Sequence, residues 1–77
     1  MDIASQVGPA IRTLRDEVGI SQEELAGRSG LDRTYISGIE RGRRNPSVRS
    51  LQRVSDALGT TLDVIFVRAR RLAEELG

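Results

Sequence analysis

Two short helices with strong capping signals, separated by a glycine, constrain this chain more than any other feature. They lie within SQEELAGRSGLDRTYISGIERGRRNPS, residues 21–47. Ser21, with Glu24 three residues later, forms a capping box that predicts the start of the first helix. Asp32 predicts the start of the second helix, and Gly30 can take the positive φ that a tight turn requires. The spacing therefore predicts a pair of short helices joined by a turn.

Apolar residues are placed to lock these two helices together. Leu25 and Ala26 face inward from the first helix, and Ala26 is small where the helices would cross closely. Ile36 and Ile39 recur at helical spacing in the second, and Leu31 precedes its cap as a hydrophobic staple. The opposite face and its flanks carry small, polar or basic residues: Arg33, Thr34, Tyr35, Ser37, Gly38 and Arg41. Such a pair can project its second helix towards a partner.

Three further helices surround this pair. The first helix of the chain is expected to start near Gly8, with Pro9 at its first position, and to end near Val18. Ser47 caps a fourth helix, and a fifth starts near Thr61. Their inward faces are predicted to carry Val7, Ala10, Ile11, Leu14 and Val18, then Val48, Leu51, Val54 and Leu58, then Leu62, Ile65 and Phe66. The sequence thus predicts an all-α fold, a compact bundle of five helices.

The last residues, VRARRLAEELG, can continue the fifth helix. One face of such a long helix would carry Leu62, Ile65, Ala69, Leu72 and Leu76. Val64 and Val67 would then point elsewhere, and a small domain rarely leaves apolar surface uncovered without a reason. We expect Val64, Val67 and Leu72 to form a dimer interface. The alternative is that these residues cap the core of their own chain.

Length and composition restrict the function classes. The 77 residues predict one domain, with a core over residues 7–67 and a C-terminal helical extension over residues 68–77. Cys and His are both absent, which removes the commonest metal ligand and general base, and no phosphate-binding glycine loop is present. We therefore expect no enzyme activity, no metal site and no cofactor. No apolar run reaches about 20 residues, and the N-terminal MDIASQ lacks the charged and apolar regions of a signal peptide. These features predict a soluble cytoplasmic protein without a membrane partner. Little chain remains outside the bundle to build a pocket for a small-molecule effector.

The basic residues are all arginines, and they are unevenly distributed. Seven of the 12 lie between Arg28 and Arg53, where only Asp32 and Glu40 are acidic. A basic patch on a chain with a net charge of +1 favours a polyanionic partner. Arginines also commonly do no more than solvate helix faces, so their distribution alone leaves both interpretations open.

The chain resembles the DNA-binding domains of the Cro and lambda-repressor-like group, the XRE family, from about Ile11 to Phe66. The motifs that carry the resemblance are IRTLRDEVGISQEELA, GLDRTYISGIERGRRNPS and LQRVSDALGTTLDVIF. The run LDRTYISGIERGRRN is also similar to the controller proteins of restriction–modification systems, small dimeric regulators that bind their own promoters. The resemblance implies a five-helix bundle that regulates transcription as a homodimer on a near-palindromic site in double-stranded DNA.

The resemblance also implies roles for individual residues. The DNA-contacting positions are Gln22, Arg33, Thr34, Tyr35, Ser37, Arg41, Arg43, Arg44 and Asn45. Gln22 and the loop after the third helix would hold phosphates. Arg33 would either read guanine through paired donors or contact phosphate, and Tyr35 would either contact DNA or pack at the helix edge. Arg15 and Glu40 match an ion pair that ties the first helix to the third.

Two questions stay open from the sequence. Many members of the family carry a larger residue where this chain has Gly38. On one interpretation this glycine only destabilises the helix, by up to about 1 kcal/mol relative to alanine. On the other, it allows a closer approach to DNA or to a neighbouring helix. The alternative to a homodimeric regulator is an antitoxin-like interaction module whose C-terminal helix binds a partner protein.

Overall fold

The computed structural model describes the whole chain, Met1–Gly77, and contains five α-helices and no strand. The helices are α1 (Val7–Val18), α2 (Gln22–Ser29), α3 (Arg33–Glu40), α4 (Val48–Ala57) and α5 (Leu62–Leu76). A short 3-10 turn, Ala4–Gln6, leads into α1. The predicted all-α, five-helix fold is confirmed. No helix has both the length and the apolar character that crossing a membrane requires.

Side-chain caps set the starts of the three middle helices, as predicted. Ser21 accepts a hydrogen bond from a backbone N–H of the first turn of α2 at 3.0 Å. Asp32 does the same for α3 at 2.7 Å, and Ser47 for α4 at 3.0 Å. Gly30, with φ +73°, occupies the left-handed conformation in the turn between α2 and α3. These local interactions fix the helix-turn-helix pair.

The reciprocal half of the predicted capping box does not form. The Glu24 carboxylate accepts a hydrogen bond from Arg28 at 2.5 Å, one turn further along α2, instead of reaching back to the N–H of Ser21. An oppositely charged neighbour four residues away competes with the backbone for the same carboxylate.

Gly8 lies inside α1 rather than at its start, which corrects the prediction. The 3-10 turn extends the helix backwards to Val7, so Pro9 occupies its third position. A β-carbon added to Gly8 would lie 2.0 Å from the carbonyl oxygen of Ile39. The missing side chain therefore lets α1 and α3 cross in direct backbone contact.

The core lies where α1 packs against α3 and α5 and where α2 packs against α3 and α4. Its most enclosed large side chains include Ile11, Leu25, Ile36, Val54 and Ile65. Packing continues along α5 through two further buried alanines, Ala69 and Ala73, beyond residue 67.

Three apolar residues that the periodicity assigned to inward faces are exposed. Val18 is 47% exposed, Val48 is 68% exposed and Phe66 is 41% exposed. Val18 and Val48 occupy the last position of α1 and the first of α4, where no neighbouring helix covers them. Phe66 lies beside the buried Ile65 at the edge of the packed face and borders a shallow apolar depression. Periodicity gives the direction of a side chain but not how far the neighbouring element extends.

The C-terminal residues continue α5 without a break to Leu76. Arg68 joins this helix to α1, since its two terminal nitrogens lie 2.6 and 3.2 Å from the carboxylate oxygens of Glu17. It also donates to the Thr13 hydroxyl at 3.1 Å. The hydrogen bonds between Arg68 and Glu17 lower the pKa of Glu17 and raise that of Arg68.

Candidate nucleic-acid interface

The two faces of α3 differ sharply in burial. Ile36, Ile39 and Glu40 are buried against the rest of the bundle, whereas Arg33 and Thr34 are exposed. This arrangement follows from the placement of isoleucines at helical spacing opposite short polar side chains. The polar side of α3 is therefore the side available to a partner.

A concave surface that encloses a volume of about 350 Å³ runs along this side of α3 and is lined entirely by polar residues and glycine. Its lining consists of Arg33, Thr34, Ser37, Gly38, Arg41, Arg43 and Arg44. Four of the seven residues are arginines and none is acidic, so the surface suits a polyanion. Arginine and short hydroxyl side chains can hydrogen-bond to phosphates and to base edges in a DNA groove. No three His, Cys, Asp or Glu side chains are grouped to hold a metal ion.

Arg33 stands at the N-terminal end of this surface and forms only a loose, exposed ion pair with Glu23. Its nearest carboxylate belongs to Glu23, with the Arg33 Nε atom 3.8 Å from the Glu23 Oε1 atom. That separation is too long for a hydrogen bond, and both side chains are exposed to water. The guanidinium of Arg33 is therefore free to turn towards a ligand.

A buried ion pair holds α3 against α1. The Arg15 Nε and Nη2 atoms donate to the two carboxylate oxygens of Glu40 at 2.8 and 3.0 Å, a bidentate arrangement. Arg15 Nη1 also donates to the carbonyl oxygen of Ile20 at 2.8 Å. The hydrogen bonds to Glu40 raise the pKa of Arg15. The pair thus fixes the end of α3 opposite its capped start.

Gln22 joins this pair rather than projecting freely. Its side-chain amide donates to Glu40 Oε1 at 3.0 Å, and the residue is half-buried at the start of α2. The network links α1, α2 and α3 through one carboxylate. A phosphate contact from Gln22 stays a prediction, and Gln22 does not line the concave surface.

Tyr35 packs at the edge between α3 and α4. Its hydroxyl donates to the Ser50 hydroxyl at 3.3 Å, and Ser50 also accepts from the Ser47 hydroxyl at 3.0 Å. Tyr35 is half-buried against the core, which corresponds to the packing alternative for this residue. This hydrogen-bonded chain connects α3 with the cap of α4.

The loop after α3 folds back onto the helix. The carbonyl oxygen of Gly38 accepts hydrogen bonds from the backbone N–H groups of Arg43 at 2.8 Å and Arg44 at 3.1 Å. Gly42, with φ +76°, permits the reversal. Asn45 lies further on and lines a separate depression beside Pro46. The loop that carries Arg43 and Arg44, the arginine loop, is therefore held beside α3 by the backbone of α3 itself.

The predicted contact residues divide into two groups. Six of the nine share the concave surface, and Gln22, Tyr35 and Asn45 do not. Among the residues predicted for a dimer interface, Val64 and Val67 are exposed, while Leu72 packs partly against the core of its own chain. Sequence reasoning missed the position of Gly38 beneath Arg44, because only the fold brings the loop back over the helix.

Comparisons with known proteins agree with this geometry. A family model described as helix-turn-helix matches residues 11–65. The chain is 46% identical over 61 residues to the HTH-type transcriptional regulator y4dJ of Sinorhizobium fredii, covering 79% of each protein. It is 44% identical over 66 residues to the control protein C.MunI of a Mycoplasma species, covering 84% of this chain and 89% of that protein. The crystal structure of the wild-type restriction–modification controller protein C.Esp1396I superposes with a TM-score of 0.82 at 41% identity, covering 92% of this chain and 93% of that one.

Proposed function

This chain belongs to the XRE-type helix-turn-helix family of DNA-binding transcriptional regulators, and we propose that it acts as a homodimer on a near-palindromic operator. We further propose that the operator lies upstream of its own gene, as in the controller proteins of restriction–modification systems that it resembles. Residues 1–77 would then serve as one DNA-binding domain, with α5 as its dimerisation element.

The observation that carries the proposal is the concave, acid-free surface along α3. A helix entering the major groove needs small or polar side chains at its tip and positive charge on both sides. Thr34 and Ser37 provide the first, and Arg33 and the arginine loop after the helix provide the second. Ile36, Ile39 and Glu40 bury the opposite face of α3 in the bundle, which leaves the concave surface on the side that faces a partner.

The proposed contacts follow from the position of each side chain. Arg33, at the start of α3 and held only by a loose, exposed ion pair with Glu23, reads a base through guanine O6 and N7. Arg43 and Arg44, on the exposed loop, bind phosphates. Arg15 and Glu40 touch no DNA and hold α3 at a fixed angle, which sets the register of every other contact.

The exposed face of α5 supports pairing with a second copy. Asp63, Phe66, Val67 and Arg70 are spaced to share one face of the helix, and together they border a depression beside Ile3. The two apolar residues lie midway between the acidic and the basic one. An antiparallel pairing about a two-fold axis at the centre would set each Asp63 against the Arg70 of the other copy. The order of charges along the face is thus complementary to itself.

A two-fold pair matches the symmetry of an inverted repeat. Each copy would present α3 to one of two successive major grooves, with centres about 34 Å apart. Because each half-site contributes its own contacts, the pair binds far more tightly than one copy. Dimerisation would then set the protein concentration at which the operator fills.

Charge exchange tests the pairing in solution. Asp63→Arg and Arg70→Asp, made singly, should each weaken the dimer in sedimentation experiments because like charges would meet. The double exchange should restore the dimer, and Glu75→Arg, on another side of α5 beside Arg71, serves as a control. Failure of the double variant to recover would refute the antiparallel register. A monomeric wild type that co-purifies with a stoichiometric partner protein would favour the antitoxin-like alternative.

Footprinting on the upstream region of its own gene tests the function as a whole. We expect protection of two adjacent half-sites at protein concentrations that leave unrelated DNA free. Equal binding to all sequences, with the same salt dependence, would refute the proposal.

A further inference from the structure

Gly38 lies in the middle of the DNA-facing helix, where its backbone does not require a glycine. It takes an ordinary helical conformation, unlike the four glycines with positive φ at helix ends. Glycine is among the weakest helix formers, so its place in this eight-residue helix calls for a physical reason.

The reason lies in the side chain of Arg44, which crosses the bare surface of Gly38. A β-carbon added to Gly38 would lie 2.6 Å from Arg44 Cγ and 3.5 Å from Arg44 Cβ. The first distance is a collision and the second is an ordinary contact. The Gly38 carbonyl also accepts the backbone N–H of Arg44 at 3.1 Å, so both the main chain and the stem of Arg44 rest on this residue.

We propose that Gly38 is a positioning residue for DNA binding, which seats the stem of Arg44 across α3 and directs its guanidinium into the concave surface towards a phosphate. The inference rests on the proposed function, because it assigns a role within the same interface. Gly38 itself needs no contact with DNA to fulfil this role.

Seating the stem before binding favours association. A free arginine side chain loses several rotamer degrees of freedom when it grips a phosphate, whereas a seated one has already lost most of them. Losing that preorganisation, or the contact itself, corresponds to about a three- to tenfold loss of affinity. Gly38→Ala should therefore act on DNA binding through Arg44.

A double-mutant cycle isolates this route. Gly38→Ala should weaken operator binding about three- to tenfold in the presence of Arg44, and lower the salt dependence of binding as Arg44→Ala does. In the Arg44→Ala background the colliding Cγ atom is gone and only the contact at 3.5 Å remains. There Gly38→Ala should change the affinity by less than about twofold, because its effect is coupled to the Arg44 side chain and disappears when that side chain is removed.

Gly27→Ala is the matched control. Gly27 is also a helical glycine on an exposed surface, and a β-carbon there would meet nothing within 4 Å. Its replacement should leave operator affinity and the salt dependence unchanged. Circular dichroism of every variant verifies that the binding data refer to folded protein.

Two results would overturn the inference while the proposed function stands. An equal loss of affinity from Gly38→Ala in both backgrounds would mean that the new methyl group obstructs DNA directly. Full affinity in Arg44→Ala would mean that the seated side chain has no binding role. If the wild type itself selects no operator, the proposed function fails instead, before the cycle begins.

A measurement on the unmodified protein avoids any effect of substitution on folding. NMR relaxation of the arginine side-chain N–H groups should show Arg44, whose stem lies against Gly38, more ordered than Arg43 in the same exposed loop. Equal mobility of the two side chains in the free protein would refute the seat.

Discussion

Removing the positive charge of Arg15 should cost this small protein a large part of its stability. Arg15→Met keeps the length of the stem but deletes the guanidinium that binds Glu40. The Glu40 side chain is only 2% exposed and that of Arg15 11% exposed, so water cannot replace the lost donors. One hydrogen bond from Gln22 would remain to the carboxylate. The substitution therefore leaves a buried charge without its counterion.

The magnitude follows from this burial. Breaking a buried ion pair from one side typically costs about 3–5 kcal/mol. A domain of this length has a total stability of about 4–12 kcal/mol. Arg15→Met should thus remove a quarter of the stability or more, and lower the melting temperature by at least about 12 °C.

Urea unfolding followed by circular dichroism measures this loss. Arg12→Met, an exposed arginine on the same helix, is the matched control and should change stability by less than about 0.5 kcal/mol. The double variant Arg15→Met/Glu40→Leu should recover much of the loss, since apolar groups can replace a buried pair at little cost. A loss below about 1 kcal/mol in Arg15→Met, or a double variant no more stable than the single one, would refute the reasoning.

Three further outcomes are expected. Arg33→Ala should cost about 1–3 kcal/mol of operator binding and relax specificity at one base pair. Arg43→Ala should weaken binding to all sequences alike and lower its salt dependence. Gel shifts that show the reverse pattern would exchange the two roles. Gly8→Ala should lower the free energy of unfolding by about 1–3 kcal/mol, because α1 and α3 must separate to admit the methyl group, and an unchanged urea midpoint would contradict the close crossing. The hydrogen bond from Arg68 holds the pKa of Glu17 below its ordinary value of 4.5, so its stabilisation is present above that pH and is lost as the pH falls through the lowered pKa. Arg68→Ala should therefore destabilise the protein most near neutral pH and progressively less in acid, and a difference independent of pH would exclude this pair as the cause.

The helix starts could be predicted because their causes are local. A cap joins a side chain to a backbone N–H two or three residues away, so Ser21, Asp32 and Ser47 carry the signal within a single turn. The capping box of α2 was predicted only in part, because the Glu24 carboxylate has two donors within reach, the N–H of Ser21 and the side chain of Arg28. It accepts from Arg28, and the sequence does not indicate which donor is preferred.

Which apolar residues of a helix are covered by neighbouring helices could not be predicted, because that depends on segments distant in the sequence. Phe66 fits the apolar period of α5 as well as Ile65 does, yet Ile65 is fully buried and Phe66 is 41% exposed. Likewise the pair Gly8–Pro9 resembles a helix start, although Gly8 is needed for a crossing with α3, about thirty residues away. Such contacts exist only once the chain has folded.

The candidate interface was predicted in its composition and only partly in its arrangement. The arginine-rich stretch and the outer face of α3 do come together in one concave surface. No local pattern indicates that Gln22 joins the Arg15–Glu40 pair or that Arg44 lies across Gly38. Both arrangements depend on where neighbouring elements place a long side chain.

Selection of bound sequences from a random DNA pool tests the central claim most directly. A homodimer that reads DNA through α3 should enrich two inverted half-sites with centres about 34 Å apart, one helical turn of the duplex. Repeating the selection with Arg33→Ala should lose the preference at the same position of each half-site and keep the spacing. A single unrepeated motif, half-sites in direct orientation or no enrichment would contradict a two-fold dimer on a near-palindromic operator.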